Sequence, residues 1–251
     1  MSALDASGVT INRAGLPVVR AASLSLKAGS ISVLLGANGA GKTTLLEGIS
    51  GVVPLAGGTV TLEGRRIEGS RPNQRARLGL AHVQQGRAVF RLLTTEENLR
   101  IACHREGSIE QGFELFPELK PRRHVAAGLL SGGEQQMLVM ARAFVSRPKV
   151  LLIDEMSLGL APLIVRRLMA VVRELADRGL AVLLVEQFAA LALATGDRAH
   201  VLRRGRIVFD GDCASLRDAP EKLHRLYLGE GADGDPGGCF EMPRPMEEDL
   251  P

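Results

Sequence analysis

The feature that constrains this chain most is a glycine-rich run near its start: Gly36, Ala37, Asn38, Gly39, Ala40, Gly41, Lys42, Thr43 and Thr44. The run fits the phosphate-binding pattern G-x-x-x-x-G-K-[ST] without a mismatch. Residues 30–35 before it are apolar and β-branched, which predicts a buried strand, and residues 45–49 after it have helical spacing. A glycine-rich turn with a lysine there by chance would not need to be preceded by a strand and followed by a helix. The pattern therefore predicts a nucleoside triphosphate site.

The residue types in this run suit phosphate chemistry. Glycines allow a tight backbone turn that aims N–H groups at the β-phosphate, and the start of a helix favours an anion. Lys42 is expected to place a positive charge on the β- and γ-phosphates. The Thr43 hydroxyl is expected to ligate Mg²⁺.

The composition is that of a soluble globular protein. The 251 residues are 45% hydrophobic and 24% charged, which suits one α/β domain with a buried core. No apolar run approaches the roughly 18–20 residues of a membrane helix, and residues 1–8 lack the pattern of a signal peptide. Cys103, Cys213 and Cys239 are far apart, which favours reduced thiols over a disulfide framework or a metal site.

The net charge of +3 hides an asymmetry between the body and the tail of the chain. From Glu230 onward there are seven acids and one base, so the tail carries −6 and the rest carries +9. A basic body could favour nucleic acid or an anionic membrane face. No run of Lys or Arg exceeds two residues, so a solvated arginine-rich surface is the simpler interpretation. The tail is rich in Gly, Pro and acids, and we predict that residues 230–251 are disordered.

Hydrophobic patterns predict alternating strands and helices along the rest of the chain. Two antiparallel strands are expected within residues 4–26, on either side of a turn at Gly15 and Pro17. Residues 87–146 are largely helical in pattern, with a capping box formed by Thr94 and Glu97. This predicts a helical lobe inserted between two halves of an α/β core. The other predicted strands are 58–62, 79–83, 150–153, 181–185, 200–202 and 207–209.

A second glycine motif, Leu130-Ser131-Gly132-Gly133-Glu134-Gln135-Gln136, lies about ninety residues after the first. Ser131, Gly132 and Gly133 precede an apolar-periodic segment, which predicts a second anion-binding helix N-terminus. Two chains packed head to tail could bring this end of one chain onto the nucleotide of the other.

The joint pattern resembles the ATP-binding cassette family. The glycine loop, Gln85, the LSGGEQQ run, an apolar strand ending in Asp154-Glu155 and a polar residue at Gln187 occur in the family's order. The resemblance covers residues 4 to about 229. It implies an α/β fold: a P-loop NTPase cassette with a mixed-sheet nucleotide-binding core, an antiparallel β subdomain and an inserted helical lobe at about 87–146. We therefore expect a single ATPase domain over residues 1–229.

The resemblance also implies the roles of individual residues. Asp154 would hold Mg²⁺ together with Thr43, and Glu155 would orient or deprotonate the attacking water. Gln85 would contact both Mg²⁺ and that water, although the adjacent Gln84 is a rival for this role. Residues 36–44, with Ser131, Gly132 and Gly133 from a facing cassette, would bind ATP.

Three positions depart from the family pattern. Gln187 stands where histidine is common, and a neutral amide cannot add positive charge at the γ-phosphate, so hydrolysis is expected to be slower. Arg13 stands where the family has an adenine-stacking aromatic residue, and its guanidinium could stack with less area. Met156 replaces a proline, and the sequence does not reveal the consequence.

The segment from Asp154 to Pro162 resembles the cassettes of branched-chain amino acid importers, as do Gly86-Arg87, the Thr94–Leu99 segment and Val185-Glu186-Gln187. This implies a second, different cassette, two membrane permease subunits and, indirectly, a solute-binding protein, at the cytoplasmic face of the inner or plasma membrane. The surface from Gln85 to Leu99, with Arg87 and Phe90, would dock the permease, unless Phe90 belongs to the core.

Other functions remain open on the sequence alone. A urea or short-amide importer is closely related. A soluble cassette ATPase acting on nucleic acid or ribosomes usually has two fused cassettes or a coiled-coil insert, which this chain lacks, so we expect no nucleic acid partner. A non-hydrolysing regulatory cassette is disfavoured because Lys42, Asp154 and Glu155 are all present.

Overall fold

The computed structural model describes residues 2–103 and 108–229. The predicted acidic tail, Cys239 and part of the predicted helical lobe therefore lie outside the described residues. In the described ranges the strands are β1 (Ser2–Arg13), β2 (Leu16–Lys27), β3 (Ile31–Leu35), β4 (Gly57–Leu62), β5 (Arg65–Arg66), β6 (Leu80–Val83), β7 (Val150–Asp154), β8 (Ala181–Val185), β9 (Arg198–Arg203) and β10 (Arg206–Asp212).

The helices in the same ranges are α1 (Lys42–Ser50), α2 (Pro72–Arg77), α3 (Thr95–Ala102), α4 (Glu110–Leu115), α5 (Gly132–Val145), α6 (Pro162–Asp177), α7 (Ala189–Thr195), α8 (Ala214–Arg217) and α9 (Pro220–Leu228). Two 3₁₀ segments, Pro117–Arg122 and Ala127–Leu129, join α4 to α5. None of these helices is both long and apolar enough to cross a bilayer.

The strands form two sheets, and the mixed-sheet α/β fold that the sequence predicts is confirmed. One sheet has the order β2-β1-β4-β5 and is antiparallel, while the other has the order β10-β9-β3-β8-β7-β6. In the second sheet β9, β3, β8, β7 and β6 run parallel, and β10 closes the edge as a hairpin with β9. The parallel strands β3, β7 and β8 are fully buried, as the apolar runs predict.

Alternate residues of the central strands pack into two separate apolar clusters. Val33 of β3 lies in the cluster on the side of α5 and α6, whereas Leu34 lies in the cluster shared with the antiparallel sheet and α1. The same alternation places Ile153 of β7 in the first cluster and Leu152 in the second. The period-two geometry of a strand produces this division. Helix α1 is thus held between the two sheets.

Two local predictions need correction. The turn between β1 and β2 is at Ala14 and Gly15, and Pro17 lies inside β2, paired with Asn12. Because β2 is an edge strand, a residue without an N–H is tolerated there. The helical pattern predicted from residue 87 begins as helix only at Thr95, and residues 84–94 are irregular. The predicted capping box sets that start.

The box itself has the expected geometry. The Thr94 Oγ1 accepts from the Glu97 N–H at 3.2 Å, and a Glu97 carboxylate oxygen accepts from the Thr94 N–H at 2.8 Å. These contacts satisfy two N–H groups that a helix start leaves unpaired. The N-terminus of α3 is therefore fixed at Thr94 by its own side chains.

A buried arginine, Arg75, contacts the C-terminal end of α1. The Arg75 guanidinium donates to the carbonyl oxygens of Gly48 and Ile49 at 2.9 and 2.6 Å, and to those of Glu68 and Ser70 at 2.8 and 3.0 Å. Its side chain is 2% exposed. We call this group of contacts the guanidinium clamp. It gives the Ile49 carbonyl a donor, adds a second donor to the Gly48 carbonyl beside the Gly51 N–H at 3.1 Å, and places a positive charge at the end of α1.

Candidate active site

The candidate site lies at the edge of the parallel sheet where the strands end. The phosphate loop follows β3, Gln85 follows β6, Asp154 ends β7 with Glu155 next to it, and Gln187 follows β8. Because β3, β6, β7 and β8 are parallel, their carboxyl ends meet at one edge. Ligands of open α/β sheets bind at this edge. The topology thus gathers residues that are up to 151 positions apart in the chain, from Gly36 to Gln187.

These residues share one open cleft with a volume of about 480 Å³. Its lining is Val18, Asn38, Gly39, Gly41, Lys42, Thr43, Thr44, Gln85, Glu155, Leu158 and Gln187. Gln85 lines the cleft and Gln84 does not, so geometry favours Gln85 of the two adjacent glutamines. Sequence reasoning did not place Val18 at the site, since a valine in an alternating strand gives no functional signal.

The phosphate loop turns into α1 through a left-handed glycine. Gly41 has φ +105°, a conformation that side chains rarely adopt, and a Cβ there would lie 3.2 Å from the Val18 carbonyl oxygen. Lys42 is 7% exposed, and its ammonium donates to the carbonyl oxygens of Gly36 and Ala37 at 2.8 and 3.2 Å. Burial lowers the pKa of Lys42, and the charges of the neighbouring carboxylates oppose this. The phosphate loop thus holds the Lys42 side chain in place at the cleft.

Asp154 has the properties expected of a metal ligand. It is 1% exposed, and neither carboxylate oxygen has a hydrogen-bond partner of good geometry among the described residues. Burial raises the pKa of Asp154, the nearby Thr43 hydroxyl lowers it, Glu155 raises it and Lys42 lowers it. A buried carboxylate with unused oxygens next to a hydroxyl fits a hard cation such as Mg²⁺. Thr43 and Asp154 are therefore the residues that could hold it.

Glu155 faces the cleft from an uncommon backbone conformation. Its φ is +48°, in the left-handed region, and its N–H donates to the Val185 carbonyl at 2.9 Å. A Glu155 carboxylate oxygen accepts from the Gln85 side-chain amide at 2.9 Å. Non-glycine residues in this region are uncommon and cluster at functional sites. The contact between Glu155 and Gln85 joins the end of β7 to the irregular segment that precedes α3.

The second glycine motif lies away from this cleft. Ser131, Gly132 and Gly133 form the start of α5, and none of them lines the cleft of their own chain. The Ser131 side chain caps α5 by accepting from the Glu134 N–H at 3.3 Å. The Arg87 guanidinium lies against Gly132 and donates to the Gly159 carbonyl at 3.3 Å. Within one chain this motif therefore contributes nothing to the lining of the Lys42 cleft.

Two more contacts complete the surroundings of the loop. The Arg13 guanidinium forms an ion pair with Glu47 of α1, so it is held beside the phosphate-loop helix. Tyr227 of α9 lies beside the loop's first glycine: burial raises the pKa of Tyr227 to about 12, and a hydrogen bond from the Gly36 backbone opposes the rise. The approach of α9 to the loop joins residues 191 positions apart, so no local pattern predicts it.

A second cleft, of about 500 Å³, lies at the opposite end of the strands, where Lys149 and Leu180 precede β7 and β8. Lys149 is paired with Glu63, and Arg178 with Glu174. It has none of the glycine-loop or carboxylate groups described above, so we place the chemistry at the cleft of Lys42.

Comparison with known proteins agrees with this geometry. The family model described as ABC transporter matches residues 19–157. The chain is 44% identical to the high-affinity branched-chain amino acid transport ATP-binding protein BraG of Pseudomonas aeruginosa, over 82% of this chain and 91% of BraG. It is 38% identical to the probable branched-chain amino acid transport ATP-binding protein LivF of Archaeoglobus fulgidus, over 81% of this chain and 89% of LivF.

A solved structure has the same fold. A nucleotide-free ATP-binding cassette from an ABC transporter superposes with a TM-score of 0.81 at 24% identity, covering 92% of this chain and all of that one. At this identity the likeness is one of fold alone. The arrangement of sheets and helices is thus that of a known architecture.

Proposed function

This chain belongs to the ABC transporter family, whose ATP-binding domains couple ATP hydrolysis to transport, and we propose that it powers an importer of branched-chain or related amino acids. One observation carries the assignment of the catalytic site. The Glu155 carboxylate, held by the Gln85 amide, faces the same cleft as Lys42 and the phosphate loop. A carboxylate beside a triphosphate-binding loop is what water attack on a γ-phosphate requires.

The chemistry follows from positioning and charge. Lys42 and the loop N–H groups would bind the β- and γ-phosphates, and Glu155 would orient the attacking water and accept its proton. Gln187 would donate a hydrogen bond to the γ-phosphate from the end of β8. Mg²⁺ would be held by Thr43 and Asp154, and by Gln85 on the side of the attacking water. When bound, it neutralises charge that develops on the phosphates.

The second glycine motif supports a two-chain site. In a head-to-tail pair, Ser131, Gly132 and Gly133 of one cassette would close over the ATP bound to residues 36–44 of the other. Exposed apolar side chains beside the cleft support such a face, namely Leu158 at 54% and Phe188 at 52% exposure. The likeness to branched-chain amino acid cassettes supports a different second cassette as the partner.

The remaining partners follow from the proposed transport role. Two permease subunits would hold the chain at the cytoplasmic face of the inner or plasma membrane, and a solute-binding protein would act through them. The docking surface would be residues 85–99, where Phe90 is 47% and Leu92 96% exposed. Phe90 is not a core residue, since its ring is half-exposed and stacks under the Arg142 guanidinium at 4.8 Å.

Glu155→Gln tests the catalytic assignment. The amide keeps the shape and the contact to Gln85 but cannot accept a proton, so we expect ATP turnover of the assembled complex to fall at least about 100-fold with nucleotide affinity retained. Lys42→Ala should instead weaken nucleotide binding itself. Retained turnover in Glu155→Gln would remove Glu155 from the catalytic role.

The proposed cargo needs a separate experiment. The complex should be reconstituted with its solute-binding protein, and ATP turnover should be measured with leucine, isoleucine, valine, urea and acetamide in turn. Stimulation by the amino acids supports the proposal, whereas stimulation by urea or acetamide alone would assign the chain to the related amide importer. A complex that turns over ATP without any membrane partner and ignores all five solutes would favour a soluble cassette ATPase.

A further inference from the structure

One buried ionisable group near the cleft has no role in the chemistry above. Glu186 follows β8 directly and stands next to Gln187, yet it is 2% exposed, whereas Gln187 is exposed to the cleft. A carboxylate is rarely buried to this extent without a partner. Its partner is the hydroxyl of Ser157, itself 3% exposed, which donates a hydrogen bond to one carboxylate oxygen.

The hydrogen bond joins the two loops that carry the proposed reacting groups. Ser157 lies two residues after Glu155, and Glu186 lies one residue before Gln187. The other carboxylate oxygen of Glu186 is buried and has no hydrogen-bond partner among the described residues. The Ser157 hydroxyl is the side-chain contact that compensates for burying this carboxylate, and the backbone N–H groups of Ser157 and Gln187 assist it.

The backbone at Glu155 explains why such a contact is needed. Its left-handed conformation, φ +48°, costs on the order of 1–3 kcal/mol and persists only where the surroundings hold it. One restraint is the hydrogen bond from the Glu155 N–H to Val185. A second is the packing of Met156, 2% exposed, in the apolar cluster of α5 and α6. The hydrogen bond between Ser157 and Glu186 is the third.

We propose that Glu186 is a positioning residue, which through the Ser157 hydroxyl fixes the loop of Glu155 against the strand end that carries Gln187. The two groups that face the γ-phosphate from β7 and β8 are thereby held at a constant separation. Misplacing a reacting group by about 1 Å can reduce the rate about 100-fold. The inference rests on the proposed catalytic function of Glu155 and Gln187.

The experiment removes either partner of the hydrogen bond in the complete transport complex. Ser157→Ala removes the donor and Glu186→Leu removes the acceptor. In both variants we expect kcat for ATP to fall at least about tenfold while KM changes less than about twofold. Glu186→Gln keeps an acceptor oxygen for Ser157 and replaces the other oxygen, which has no hydrogen-bond partner among the described residues, by an uncharged NH2 group, so it should retain kcat within about threefold of the parent.

The double variant and a matched control separate positioning from stability. Ser157→Ala in the Glu186→Leu background should cost no further activity, because the interaction is already absent. Ser146→Ala removes another serine hydroxyl that donates within the fold, to Ala143 at 2.7 Å, and should leave kcat unchanged. If Ser157→Ala and Glu186→Leu lower the melting temperature but keep the parental kcat, the contact is structural only and the proposal is wrong.

Failure of this inference can be distinguished from failure of the proposed function. An inactive Glu155→Gln complex together with fully active Ser157→Ala and Glu186→Leu complexes would overturn the positioning role alone. An active Glu155→Gln complex, or a parent complex without ATP turnover, would overturn the catalytic assignment and this inference with it.

Discussion

The guanidinium clamp of Arg75 gives the most quantitative prediction. Arg75→Met keeps most of the aliphatic stem but removes all of the hydrogen bonds to the carbonyls at the end of α1 and in the segment before α2. The contacts to Gly48 and Ile49 are buried, while those to Glu68 and Ser70 are only partly buried, so water can replace the latter pair. Both buried carbonyls thus lose a charged donor, and the Gly48 carbonyl keeps only the hydrogen bond from the Gly51 N–H at 3.1 Å.

The magnitude follows from these two buried contacts. A hydrogen bond to a charged group contributes about 1.5–3 kcal/mol, and neighbouring contacts do not add fully. We expect Arg75→Met to lower the free energy of unfolding by about 3–5 kcal/mol. At about 2–4 °C per kcal/mol for a domain of this size, Tm should fall by about 6–20 °C. Arg75→Lys keeps the charge but not the planar guanidinium, so its Tm should lie between those of the parent and Arg75→Met.

Circular dichroism during heating and urea titration measures the effect. The matched control is Arg77→Met, since Arg77 is an exposed arginine of the same helix, α2, and its replacement should cost less than about 0.5 kcal/mol. Arg75→Met with the same Tm as Arg77→Met would refute the argument that the clamp closes α1.

Three further predictions concern Gln187, the packing of Gly196 and the pH dependence of stability. Gln187→His should raise ATP turnover of the assembled complex, by up to roughly tenfold, because a protonated ring adds positive charge at the γ-phosphate; unchanged turnover would show that the charge at this position does not limit the rate. Gly196→Ala should cost about 1–3 kcal/mol of unfolding free energy, since its Cβ would overlap a methyl group of Val33, whereas Gly69→Ala, with open space around it, should cost little; equal urea midpoints for the two would contradict the packing argument. Burial lowers the pKa of His82 from 6.5 to about 4. As pH falls, the unfolded chain therefore binds this proton before the folded chain does, and up to about 3 kcal/mol of unfolding free energy is lost between pH 6.5 and pH 4. His82→Gln should reduce the slope of unfolding free energy against pH by the equivalent of up to one proton, and an identical slope in urea titrations of the two proteins would show that His82 is not its source.

Much of the fold follows from local pattern, because its central elements are extreme in composition. The strands β3, around Val33, and β7, around Ile153, are apolar on both faces. This pattern is expected only where a strand is covered by other elements on both sides of its sheet. The phosphate loop and the capping box of Thr94 each carry their partners within a few residues. Such elements are predictable because the interactions that define them are short-range in sequence.

The parts that the sequence did not reveal depend on distant contacts. Glu186 and Ser157 are 29 residues apart, and nothing in either segment marks the pair except a carboxylate placed directly after a buried strand. Arg75 resembles any surface arginine of a short polar helix until α1 is placed above it. The sequence pattern predicts Pro17 in the turn rather than in β2 for the same reason, since only the sheet order shows that β2 is an edge strand.

The position of α9 has a practical consequence for spectroscopy. The chain has no tryptophan and a single tyrosine, and that ring is the one lying beside Gly36. Tyrosine fluorescence from the unlabelled protein therefore reports on one place, the entrance to the phosphate loop. An intensity or anisotropy change during a nucleotide titration would show directly whether α9 stays in contact with the phosphate loop when the loop is filled.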